Sequence, residues 1–180
     1  MAEKITLKND IQSVDLEIKD ASVGPSVIDL KSLYNDTGYF TFDPSYSTTA
    51  SCESKITYID GAKGILEYRG YPIEQLAEQS TYLEVAYLLF NGELPSSNIS
   101  LDEFRSQVKK NMSLPKNMSG IFTGFGKDAH PMAILTTAVA ALSGSYHEGI
   151  NVRDKEDQKE FFFNILGKMP ILVANVFNHN

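Results

Sequence analysis

Ile65-Leu66-Glu67-Tyr68-Arg69-Gly70-Tyr71-Pro72-Ile73-Glu74-Gln75-Leu76-Ala77-Glu78-Gln79 is the stretch in which the chain changes its period. Before it, apolar residues alternate. Ile5 and Leu7 alternate with Lys4, Thr6 and Lys8, and after an Asn9-Asp10 corner Val14, Leu16 and Ile18 alternate with Asp15, Glu17 and Lys19. A period of two puts one face against a core and the other in water, which predicts strands. Residues 27–30 and 39–42 are further strand candidates, separated by the turn-rich Asn35-Asp36-Thr37-Gly38. Ile56-Thr57-Tyr58-Ile59 and Ile65-Leu66-Glu67-Tyr68 flank Asp60-Gly61-Ala62-Lys63-Gly64, whose glycines suit a hairpin loop.

From Pro72 onward the spacing is helical. Pro72 suits the first position of a short helix reaching about Gln79. Thr81 and Glu84 form a capping box, with Leu83, Ala86, Tyr87 and Phe90 on one face and Gly92 as the stop. Ser100 and Glu103 repeat the capping signature before Phe104 and Val108, and Pro115 opens a helix carrying Met118, Ile121, Phe122 and Phe125. Residues 132–146, after Pro131, are apolar or small on every side, which predicts a helix buried all round, in a large core or a subunit interface. Asp154 would cap a last helix that Pro170 kinks or breaks. The expected fold is therefore mainly α with a small β-rich N-terminal module, residues 1–68, followed by a helical portion, residues 69–180.

Composition narrows the function classes. The 180 residues are 42% hydrophobic and 22% charged, ordinary for a globular chain. A formal net charge of −7 repels nucleic acid and anionic membrane. A single cysteine, Cys52, allows no internal disulfide and fits a reducing cytoplasm. The start shows no secretory leader, so the sequons at Asn35, Asn98, Asn111 and Asn117 carry no weight. The longest apolar stretch, 132–142, is too short to span a bilayer. The apolar run 171–177 reaches almost to Asn180 with no polar tail, so we expect the chain to be part of something longer.

Candidate chemistry is sparse. Of the three histidines, His130 precedes Pro131 at a helix start, where capping or packing outweighs catalysis. His147 follows the apolar helix, where a cation favours the helix dipole. His179 stands beside the last residue and has no interpretable context. None has a metal-ligand partner at suitable spacing, so no metal site is expected. Cys52 lies beside Glu53, and a packing role is expected rather than a nucleophile. The glycines of 61–64 and 120–126 form no phosphate-cradling loop. Arg69 could contact an anion, but a salt bridge at the strand–helix junction is the stronger expectation. Lys109, Lys110 and Lys116 form the basic cluster, ordinarily a solvated face and otherwise a seat for a phosphorylated ligand.

Several strings resemble one family. Phe40-Thr41-Phe42-Asp43-Pro44, the run from Ser47 to Gly61, Gly64-Ile65-Leu66 and Tyr68-Arg69-Gly70-Tyr71-Pro72-Ile73 are similar to bacterial citrate synthases of the larger, hexamer-forming type. So are Tyr82-Leu83-Glu84-Val85-Ala86-Tyr87-Leu88-Leu89, Asn91-Gly92-Glu93-Leu94-Pro95 and His130-Pro131-Met132-Ala133. The resemblance implies an acyltransferase that condenses acetyl-CoA with oxaloacetate and water to give citrate and CoA. It implies a large and a small helical domain, and assembly with copies of itself as dimers and as hexamers built from three dimers. Acetyl-CoA enters as substrate, and no cofactor is implied. The family's two histidines and aspartate, and its substrate arginines, belong to motifs that this chain does not contain, so no catalytic or substrate-binding residue is assigned and the chain alone is expected to be inactive. A 2-methylcitrate synthase, or a non-catalytic assembly or regulatory chain of the same fold, are the alternatives.

The resemblance also implies an allosteric NADH site. Tyr146 and Lys168 match its tyrosine and lysine, and Lys110 replaces an arginine. Asn111, Met112 and Asn164 stand where a histidine, a threonine and an arginine are usual. Losing arginines removes bidentate phosphate recognition, so weak or absent NADH control is expected.

Overall fold

The computed structural model describes residues 3–146 and 151–179, and it divides into two compact units, 1–94 and 95–180. The change of period near Pro72 thus lies inside the first unit, because β-rich and helical elements pack together there.

The first unit opens with an antiparallel sheet. β1 (Lys4–Lys8) pairs with β2 (Ser13–Lys19), Ile5 opposite Leu16 and Leu7 opposite Val14, and β2 pairs with β3 (Val27–Ile28). The Asn9 carboxamide closes the corner by accepting from the Ile11 and Gln12 amides at 2.9 and 2.8 Å. Leu16 on β2 is buried, but Ile5 and Leu7 remain exposed, so the expected inward face of β1 is only partly realised. β1 is an edge strand, and α1 (Leu33–Thr37) lies against β2 instead. Asn35-Asp36-Thr37-Gly38 proves to be the end of that helix rather than a turn between strands, with Gly38 at φ 76° as its left-handed C-cap. The strand expected at 39–42 is not formed. Those residues are irregular, and Phe40 stacks on Tyr34 at 4.3 Å instead of entering a ladder.

β4 (Thr57–Asp60) and β5 (Ile65–Tyr68) form the expected hairpin, and β6 (Tyr71–Pro72) adds a third strand, Tyr68 opposite Tyr71. The two-residue turn Arg69-Gly70 has φ of 52° and 85°, the doubly positive geometry that matches strand twist. An arginine rarely adopts it. Here its guanidinium donates to Lys55 O at 3.1 Å and Leu89 O at 2.7 Å, which holds the turn against both the loop before β4 and the last turn of α3 (Tyr82–Asn91). The expected salt bridge is replaced by two carbonyls. Pro72 precedes α2 (Ile73–Gln79) as its N-cap residue. Thr81 caps α3 as expected, its N–H and hydroxyl both donating to Glu84 at 2.7 Å, and Gly92 ends it at φ 95°. The deepest residue of α3 is Leu88, while Phe90 is exposed, so the buried face is rotated from the one expected.

The second unit is helical. α4 (Asn98–Lys110) begins earlier than the Ser100–Glu103 pair indicates, because Ser97 takes the capping position and its Oγ accepts from the Ser100 amide. A 3-10 turn, Lys116–Met118, follows Pro115 and leads into α5 (Ser119–Thr123). α6 (Pro131–Leu142) continues as a 3-10 turn, Ser143–Ser145. α7 (Lys155–His179) is capped by Asp154, whose carboxylate accepts from the Glu156 and Asp157 amides. Pro170 does not break α7, which runs through it. The core joins Met118, Phe122, Ile134, Ala138, Leu142, Leu172 and Val176. Within this unit the buried residues of α6, Ile134, Ala138 and Leu142, form a single stripe, and Met132 is 58% exposed. Lys155–Asn178 is, by length and composition, apolar enough to cross a membrane, although Asn164 and Lys168 interrupt its apolar run. Its Phe163, Leu172 and Val176 are buried, whereas Phe161, Val173 and Phe177 are exposed.

Candidate functional site

The polar centre of the second unit lies where α7 passes the end of α4. Asn111 is the C-cap of α4, so its carbonyl is one of the acceptors that a helix end leaves without an intrahelical donor. Lys168 supplies the donor, its Nζ 2.9 Å from Asn111 O. One turn earlier on α7, Asn164 Oδ1 accepts from the same ammonium at 2.7 Å, while its own Nδ2 donates to Glu160 O at 3.1 Å. The Nζ also stands 5.0 Å from the centre of the Tyr146 ring. Lys168 and Asn164 are the two buried polar side chains among the described residues, 3% and 7% exposed.

Gly167 makes the approach possible. A Cβ there would lie 2.6 Å from Val108 O and 3.1 Å from Asn111 O, both backbone atoms. An ammonium has three N–H donors, and two oxygens and an aromatic face occupy them. None of these partners is a carboxylate. The negative end of the α4 dipole therefore takes the place of a counter-ion.

Of the three residues singled out for a nucleotide site, Tyr146 and Lys168 are brought together and Lys110 is exposed on the last turn of α4. Asn111 and Asn164, noted as departures from a family pattern, are direct partners of Lys168. Reading the sequence missed Gly167. Its signal was a lone Gly-Lys pair inside an apolar helix, where glycine is costly unless another backbone must come close. Lys109 and Lys116 are exposed like Lys110.

The remaining candidates have structural surroundings. His130 caps α6, its Nδ1 accepting from the Met132 amide at 3.2 Å. His147, and the side chain of His179, lie outside the described residues. Cys52 is exposed in an irregular polar segment, which overturns the packing role expected for it, because no strand or helix forms there to cover it. Among the described residues no three His, Cys, Asp or Glu side chains converge as metal ligands. Pro131, Met132, Leu135, Val173, Val176 and Phe177 line an apolar groove of about 200 Å³ between α6 and α7.

The family model for the citrate synthase C-terminal domain matches residues 45–180. The chain belongs to the citrate synthase family. Residues 3–44, with β1–β3 and α1, precede that match. Among solved citrate synthases, that of the archaeon Thermoplasma acidophilum, in ternary complex with carboxymethyl coenzyme A and oxaloacetate, is 27% identical, with TM-score 0.66 over 73% of this chain and 34% of its own. The Thermotoga maritima citrate synthase is 29% identical, with TM-score 0.63 over 77% and 35%. That of Pyrobaculum aerophilum is also 29% identical, with TM-score 0.59 over 91% and 38%. The chain thus spans little more than a third of the length of the citrate synthases it matches, and it carries their helical fold.

Proposed function

We propose that this chain is the N-terminal part of a bacterial citrate synthase of the larger type, which condenses acetyl-CoA with oxaloacetate and water to give citrate and CoA. The observation that carries this reading is the family match over residues 45–180, joined to fold similarity with citrate synthases. The chemistry needs a base for the acetyl α-proton and a donor for the developing enolate oxygen. In this reading both come from beyond residue 180, so chain 1–180 alone makes no citrate. CoA release from acetyl-CoA plus oxaloacetate, measured on the full-length subunit and on chain 1–180, tests both statements. Turnover by the short chain would overturn the second. Preference for propionyl-CoA would transfer the enzyme to 2-methylcitrate synthesis, and no release by the full-length subunit would leave an assembly chain.

The proposed enzyme acts in the cytoplasm and associates with copies of itself, as dimers and as hexamers. The groove of α6 and α7, on which the apolar Met132, Val173 and Phe177 are exposed, supports self-association. The net charge of −7 supports small-molecule rather than nucleic-acid partners.

The reading extends to regulation through Lys110, Tyr146 and Lys168. Lys168 already donates to Asn111 O and Asn164 Oδ1, so an incoming phosphate would have to displace both. Asn164 offers no guanidinium fork to compensate. NADH control is therefore weak or absent. Isothermal titration of the full-length enzyme should give no saturable NADH binding, and a micromolar Kd would refute the regulatory reading without touching the catalytic one.

A further inference from the structure

We draw no further inference here: the strongest candidate, the apolar groove between α6 and α7 lined by Met132, Leu135, Val173 and Phe177, belongs to the surface already assigned to self-association, and nothing in the structure shows what else covers it.

Discussion

Gly167 sits on α7 with Val108 O and Asn111 O close against it, so a methyl group there meets fixed backbone rather than a side chain that can swing away. Gly167→Ala should force α7 away from the end of α4 and cost about 1–3 kcal/mol by overpacking. That loss is read in urea unfolding of chain 1–180 as a lower midpoint at unchanged slope, and wild-type stability would refute the close approach. Asp43 is a second residue whose environment makes a prediction. The Thr48 amide, then the Thr49 hydroxyl and the Ser47 amide, hold its carboxyl well below the usual carboxylate range. A depressed carboxylate contributes stability that is complete at neutral pH. That contribution begins to fade as pH falls through the unfolded value near ~3.9 and is lost below the folded one. NMR titration of the Asp43 carboxyl carbon should therefore show a midpoint below that of an unfolded control peptide; an equal or higher midpoint would contradict the three donors.

At the scale of elements, caps and chain ends are the features that sequence rules locate best. Thr81, Gly92 and Asp154 do what their residue types indicate, because capping needs only a side chain and the next few amides. Thr81→Ala should cost about 0.5–2 kcal/mol. Circular dichroism melting would register this as a lower Tm, and an unchanged Tm would show that α3 is held by packing alone. Where two serines compete, as Ser97 and Ser100 do, local rules cannot choose between them. Proline rules also reach their limit at Pro170. The ring removes one helical donor, yet α7 continues, held on both sides of that point by the buried Phe163, Lys168, Leu172 and Val176. The strand expected at 39–42 failed for a related reason. Alternation marks a half-buried strand, but a ladder also needs a partner edge, and Phe40 stacks on Tyr34 instead.

At the scale of the whole molecule, the groove of α6 and α7 predicts association. Met132→Glu places a charge in that groove at a residue that is 58% exposed and lies outside the core of Ile134, Ala138 and Leu142. In sedimentation equilibrium the full-length variant should shift toward lower mass than the wild type, whereas an unchanged distribution would remove the groove from the interface. The sequence by itself determined the family, the β-rich start, the hairpin of 57–68 and the helical remainder, since these rest on local periodicity and on strings of residues read in order. It could not determine which stripe of α6 is buried, because a helix apolar on every side offers no polar face to point outward. Nor could it place Lys168 on the carbonyl end of α4, a contact between residues 57 positions apart. Only packing decided that. A buried ammonium must find acceptors wherever the tertiary fold leaves them, and the carbonyl that a helix end leaves unpaired becomes available to a distant side chain only once the two helices have met.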